Sequence, residues 1–472
     1  MAPMLPKSVA IRSEFSRGYA YYMAENEAVR GFIRCEGENI LNPYVKIEVE
    51  TAQIDSKFVH LRFSHTNKYW GRSGPGFTQD DYWVSATSDQ PEEDTSKWSC
   101  TLFEPIFDHG FLFLRHVQTG GRVRTDGPIG ATGPVSRLLL YFRNYDNVPY
   151  LDFTFFDLGT LCILPKRVAF RGYNDMYLKA EWIERHEYLQ FSSDDVNEKA
   201  AGYEITMMPD GHVRLRSNFF NKFWRRSPNW IWADSTDTVG SDRDTLFWPV
   251  KVNDDTIALR NAGNNRFCSS LTAERKTDCL NAAVATITRE ARLQVEELVF
   301  ERSIFNVRFL MEYARIFDER ATVAGWGSAE NQSEEAATLS ITVGYEDTTS
   351  FTFSNSLAIT AGVTVGITTG LPRIAEGKIE ISTEVTNTLE WNRTTSETRT
   401  ASATYLANVP ARSRIRIDYV ATRGTCNIPF SYTQRDRLSH DGSFATTQHV
   451  DGVYTGVNYY SFHFEQPQIV PL

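Results

Sequence analysis

The sequence has little that would brace it covalently or catalyse a reaction. Its six cysteines, Cys35, Cys100, Cys162, Cys268, Cys279 and Cys426, lie far apart with no CxxC pair. That excludes the usual zinc and dithiol motifs, and the thiols are expected to be free and buried. The nine histidines are dispersed, and HExxH, GxSxG, Walker and GxGxxG patterns are absent. No metal site and no cofactor are therefore expected. No apolar run approaches the roughly 18 residues of a membrane-spanning helix. Residues 1–7 (MAPMLPK) lack the charged and then apolar regions of a secretory leader, so the expected location is cytoplasmic or nuclear. There is no excess of positive charge either: 49 Lys and Arg stand against 59 Asp and Glu, for a net charge of −10. This argues against nucleic acid as a partner and against docking by charge alone on an anionic bilayer. Convincing amphipathic helices are also missing. Residues 282–298 come closest, but 291–298 (ARLQVEEL) alternate like a strand.

What the sequence does hold is aromatic and strand-forming. Aromatics make up 13% of it, with 10 Trp, 21 Tyr and 30 Phe, a composition that leans all-β. At 472 residues the chain suggests about three domains.

The first 300 residues contain a repeat. Residues 5–12 (LPKSVAIR) recur as 164–171 (LPKRVAFR), 60–63 (HLRF) as 212–215 (HVRL), and 67–70 (NKYW) as 221–224 (NKFW). Residues 82–83 (YW) answer to 229–230 (NW), and 113–116 (FLRH) to 258–261 (ALRN). Ordered matches with variable gaps indicate two copies of one domain of about 150 residues. Short alternating runs between Gly, Asn, Asp and Pro clusters make each copy a compact β barrel or sandwich. Residues 145–157 are expected to be the linker, with a short helical turn.

Both copies place an aromatic-rich segment at the same point, 67–83 in the first and 221–232 in the second. A sugar offers an apolar C–H face and a ring of hydroxyls. Its site wants an aromatic plate with Asn, Asp or Arg beside it. Asn67, Tyr69, Tyr82, Asn229, Trp230 and Trp232 are the candidates. The competing reading is that Trp70, Trp224 and Trp230 simply fill a core.

The Asn-Lys-Tyr/Phe-Trp motif, residues 82–86 (YWVSA), 98–103 (WSCTLF) and 278–283 (DCLNAA) resemble the amaranthin group of plant agglutinins over residues 5–298. The resemblance implies two tandem β-trefoil domains, 1–152 and 160–298, that bind glycans containing galactose and N-acetylgalactosamine, in particular Gal-β1,3-GalNAc. It implies a sugar site where the first domain of one subunit meets the second domain of another. The first-domain contact segment of that group falls on Asp81, Tyr82 and Trp83. Asp81 stands where the group's pattern has His, which puts sugar preference in question. A repeated lectin-like head without a distinct carboxylate motif also argues against a glycosidase pair, so no enzyme is expected.

From residue 299 the texture changes to Ser- and Thr-rich strands around one long hairpin. Residues 356–370 (SLAITAGVTVGITTG) form its first arm, 371–377 (LPRIAEG) its turn, and 378–386 (KIEISTEVT) its second arm. Leu357, Ile359, Val363, Val365 and Ile367, then Ile379, Ile381 and Val385, share one face by period-two spacing. Thr364, Thr368, Lys378, Glu380 and Glu384 share the other. Each arm has about the 9–11 residues a tilted strand needs to cross a bilayer. A small polar face suits a water-filled lumen. Residues 299–472 resemble the aerolysin-type pore-forming domain in pattern and layout. The combined expectation is an elongated β domain that forms homo-oligomers on a target membrane and closes into a transmembrane barrel, serving plant defence. Two Glu against one Lys on the lumen face expects cation preference. The alternative is a multivalent lectin whose C-terminal domain only mediates oligomerisation.

Overall fold

The computed structural model describes residues 4–24, 29–75, 82–125, 137–141, 152–356, 365–383, 385–389, 391–439 and 441–472. Asp81, Leu357, Ile359, Val363, Thr364 and Glu384 lie outside the described residues, as does the side chain of Val385. The described residues contain no α-helix; strands are joined by turns and short 3-10 segments. The chain forms two compact units, one built mainly from its first 301 residues and the other from most of the remainder.

The first unit contains two closed barrels of the same design. In the first, Ser8–Ser13 pairs with Ile47–Thr51, and the order continues through Val59–Phe63, Phe103–Asp108, Phe111–His116 and Phe153–Asp157 back to Ser8–Ser13. In the second, the circuit runs Arg167–Arg171, Tyr203–Met207, Val213–Ser217, Phe247–Lys251, Thr256–Asn261 and Leu293–Glu297. Three hairpins cap each barrel. In the second copy they are Tyr177–Ile183 with His186–Ser193, Phe223–Ser227 with Trp230–Ser235, and Phe267–Ala273 with Lys276–Val284. Six closed strands under three hairpins make a β-trefoil, and closure leaves no barrel edge to pair with another chain.

The repeated segments fall on equivalent places. Residues 5–12 and 164–171 lead into the first barrel strand of each copy. The Asn-Lys-aromatic-Trp motif sits at the turn after the third barrel strand, where Asn67 and Asn221 adopt φ of 53° and 58°, a conformation Asn tolerates better than most residues. Trp70 and Trp224 that follow are fully buried. Trp224 packs ring to ring against Phe170, Tyr203 and Phe247. For these two tryptophans the core reading holds. The expected linker is corrected in part: Phe153–Asp157 is a barrel strand, held by five residue pairs to Ser8–Ser13, so the first barrel reaches past residue 152.

Among the described residues, the second unit is dominated by a nine-stranded sheet. Its strands are long because one period-two pattern persists through each. In Ser413–Leu438, Ile415, Ile417 and Tyr419 point inward while Arg414 and Arg416 point out. Ala337–Ser354 and Thr394–Val409 pair along their length. Hydroxyl contacts join Thr342 to Thr404 at 3.3 Å, Thr348 to Thr398 at 3.0 Å and Thr352 to Thr394 at 2.9 Å on the exposed side. Ile341, Val343, Val409, Ile415 and Ile417 close the inner side.

Candidate sugar-binding and membrane-insertion sites

In the first trefoil the predicted residues separate by strand face. Tyr69 is fully buried, and its hydroxyl donates to Glu50 at 2.7 Å. Asn67 is buried and its side-chain oxygen accepts from Arg62 at 2.8 Å. Both are thereby corrected from sugar contacts to structural residues, since neither presents a face to solvent. Tyr82 and Trp83, on Tyr82–Ser88, are half-buried. Tyr82 meets Trp98 edge to face at 5.3 Å. The Arg72 guanidinium lies 3.4 Å from the Trp98 ring centre and 4.9 Å from that of Tyr82. Trp98 itself is 52% exposed. An exposed indole braced by an arginine is the aromatic plate with a polar neighbour that a pyranose requires. Trp98 lies outside the set expected from sequence because its loop is 15 positions beyond Trp83 and only the fold brings Arg72 to it. Trp83 belongs to a separate group with Phe32 and Arg137, whose guanidinium is 4.6 Å from the Phe32 ring.

In the second trefoil Tyr188, Trp230 and Trp232 gather where the three cap hairpins meet. Trp230 is buried and its indole N–H donates to Glu274 at 3.1 Å, so it is a packing residue and not an open plate. His186 stacks on Trp232 at 4.2 Å, covering one face. Arg225 holds Asp234 through two bonds, of 3.1 and 2.6 Å, and that pairing raises its pKa. The Lys276 ammonium lies 5.6 Å from the Tyr188 ring and 5.9 Å from that of Trp230. Its bond to Glu184 raises its pKa and lowers that of Glu184. Asn229 is exposed, while its carbonyl accepts from the Ala282 amide at 2.7 Å. The described residues contain no cluster of side chains able to hold a metal ion.

In the second unit the described part of the long hairpin, from Val365 on, is paired as a ribbon, with its turn in a narrower place than expected. Val365–Thr369 pairs with Val385–Leu389, and Pro372–Ala375 with Lys378–Ile381. The reversal is confined to Glu376 and Gly377, at φ of 49° and 75°. Two successive positive φ values make a two-residue turn whose twist matches the strands. Pro372 did not end the strand, because at its first position it needs no ladder donor. Its carbonyl instead accepts from the Tyr454 hydroxyl at 2.7 Å.

The two faces differ as the pattern implies. Val365, Ile367 and Ile374 are buried among Phe351, Phe430 and Tyr454. Ile379 packs partly against the same core, and Ile381 is 44% exposed. Lys378 and Glu380 are exposed and Thr368 is half-buried. Arg373 stands directly across from Glu380, which adds a cation to the polar face and removes the basis for the expected cation preference. The Asn458 amide holds the backbone of Ile374 at both ends, accepting from its N–H at 2.9 Å and donating to its carbonyl at 2.8 Å.

The Agglutinin domain model matches residues 3–123 and 162–299, together more than half of the chain. The chain belongs to the agglutinin family. Residues 293–442 match the Aerolysin toxin model, so an agglutinin region with two lectin domains is fused to an aerolysin-like toxin domain. Both are non-enzymatic families, of lectins and of toxins that oligomerise on membranes. Among solved structures, the hemolytic lectin CEL-III is 11% identical over 96% of this chain and 91% of its own, with a TM-score of 0.30. An aerolysin-like protein of Bombina maxima is 13% identical over 36% of this chain and 99% of its own, at 0.25. A mosquitocidal holotoxin is 10% identical over 64% of this chain, at 0.29, and the chain spans 35% of its length. At such scores the assignment rests on the two family models. No curated protein matches the chain at a significant level.

Proposed function

We propose that this agglutinin is a sugar-guided pore former. Its trefoils bind galactose- and N-acetylgalactosamine-containing glycans of the Gal-β1,3-GalNAc type, with Tyr82 and Trp98 as plates and Arg72 beside them. Bound copies assemble side by side on the membrane. The hairpin then leaves its core and pairs between copies into a closed barrel. Leu357, Ile359, Val363, Val365, Ile367, Ile379, Ile381 and Val385 face lipid; Thr364, Thr368, Lys378, Glu380 and Glu384 line the lumen together with Arg373. The chain is held in cytoplasm or nucleus, meets foreign membranes after release, and serves plant defence.

One observation carries this reading: the described part of the hairpin is stored with Val365, Ile367 and Ile374 against an aromatic core and with Lys378 and Glu380 exposed. Burying each Val or Ile is worth about 1.5–3 kcal/mol. A bilayer interior supplies the same apolar surroundings, so the exchange costs little for the side chains. The backbone groups released need new partners, and only a closed barrel provides them in lipid.

The test is dye release from phosphatidylcholine vesicles that display Gal-β1,3-GalNAc. Ile381→Asp is preferable to a change at Val365, which is 2% exposed and would carry a charge into the folded core. A carboxylate on the lipid face is destabilising, by less than the about 2–4 kcal/mol that Arg or Lys costs near the bilayer centre. Ile381→Asp is expected to bind the vesicles and fail to release dye; undiminished leakage sinks the insertion assignment. The reading of a multivalent lectin without a pore is favoured by the pairing of Val365–Thr369 on both sides, with Val299–Phe309 as well as Val385–Leu389. Soluble oligomers and intact vesicles would select it.

A further inference from the structure

The second trefoil exposes aromatic side chains that its fold does not require. Trp182 is 59% exposed and Phe219 is 49% exposed. Trp182 meets the edge of Phe220 at 5.3 Å, and Phe220 in turn contacts Phe219 at 4.9 Å. Along Tyr177–Ile183, Leu178 and Ala180 are buried. Trp182 continues the same side of the strand past the core and into solvent. Cross-strand from it stands Glu187, and directly opposed residues share one face of a hairpin. Glu187 is only 7% exposed, and its carboxylate accepts from the Lys222 ammonium at 2.6 Å.

The third cap hairpin of the same trefoil shows what this position does when it is structural. Both hairpins turn through Glu-Arg, at 184–185 and 274–275, with all four φ values between 51° and 69°. Two residues before the turn the third hairpin carries Thr272, whose hydroxyl accepts from the Asp278 amide at 3.0 Å. A small residue with an internal partner satisfies the geometry there. A large indole facing water at the matching place has no such partner.

We propose that Trp182, flanked by Phe220 and by the Glu187–Lys222 pair, is a second pyranose subsite, separate from the Tyr82–Trp98 plate, so that each chain carries two sugar contacts. This rests on the lectin reading above. The sugar's apolar C–H face lies on the Trp182 indole. Its hydroxyls donate to Glu187 and accept from Lys222, which has three donors and gives one to Glu187. A bilayer fits less well, because the aromatic group has a largely buried carboxylate beside it.

The test uses the full chain and the free disaccharide Gal-β1,3-GalNAc, followed by saturation-transfer NMR. Trp98→Ala is expected to leave a saturable signal, and Trp98→Ala with Trp182→Ala to abolish it. Trp182→Phe, which keeps an aromatic plate, is expected to retain it. On a surface dense in the disaccharide, Trp182→Ala alone should weaken retention at least about tenfold through lost bivalency. If Trp98→Ala alone removes all saturable binding, the second subsite is overturned while the lectin reading stands. If the unaltered chain binds neither the disaccharide nor galactose, the lectin reading fails and this inference with it. If Trp182→Ala spares sugar binding but lowers attachment to sugar-free phosphatidylcholine vesicles, the patch is a bilayer contact and the subsite is overturned. Unchanged thermal unfolding of Trp182→Ala checks that the fold is intact.

Discussion

At the scale of single residues, a few side chains decide between core and surface, or between stored and released. Tyr69 and Tyr82 belong to one aromatic segment, yet one is fully buried and the other half-exposed beside Trp98. Nothing in the segment's composition separates them; their strand faces do. Asn458 is buried and holds both backbone groups of Ile374. Removing it leaves those groups unpaired, at about 1–3 kcal/mol. Asn458→Ala is expected to lower stability by that amount in urea unfolding and to speed dye release, since these bonds exist only while the hairpin is docked. Slower release would mean that Asn458 serves the open state. His116 gives a pH signature. Burial lowers its pKa below the ordinary 6.5, and Arg72 adds to that, against an opposing bond to the Cys100 carbonyl. The unfolded chain therefore binds the proton more readily. The contribution of neutral His116 is full above 6.5 and is lost as pH falls through the lower folded value. Thermal unfolding of His116→Gln is expected to show a smaller drop between pH 7.5 and pH 5 than the unaltered chain.

At the scale of elements, the hairpin 365–389 combines a stiff turn with an amphipathic ribbon. Gly377 at φ 75° occupies a conformation that costs a residue with a Cβ about 1–2 kcal/mol. Gly377→Val is expected to destabilise the second unit by about that much in urea unfolding, with sugar binding unchanged. With Arg373 added, the polar face carries Arg373 and Lys378 against Glu380 and Glu384, a balance that predicts weak ion selectivity. Arg373→Glu should move the reversal potential of a planar bilayer towards cation preference; a shift towards anions would reverse the facing assignment. The pair beside it, Ala337–Ser354 with Thr394–Val409, was legible as strands from its Ser- and Thr-rich texture. That its threonines meet across the pair was not, because register depends on where two distant segments align.

At the scale of the whole molecule, stability comes from closed barrels and long ladders with no covalent bracing. All six cysteines are free and buried. Burial raises the Cys162 thiol to about 11, Cys279 to about 12 and Cys426 to about 11. The native chain is expected to react negligibly with a thiol reagent at pH 8, and all six thiols to react once it is unfolded. Reductant should leave the melting temperature unchanged. A rapidly reacting native thiol would show an opened core.

The sequence by itself determined that the chain is all-β, that a domain is repeated, and that one ribbon near the end has an apolar and a polar side. Those are properties of periodicity and order, which survive without coordinates. Only the tertiary structure decided that the Asn-Lys-aromatic-Trp motif is a turn and a core plug. The same holds for the joining of Arg72, Tyr82 and Trp98 into a plate and for the docking of the ribbon under Asn458. Each of these depends on which side chains a barrel or sheet encloses and which distant segments it brings within a few ångströms, and local spacing does not encode that.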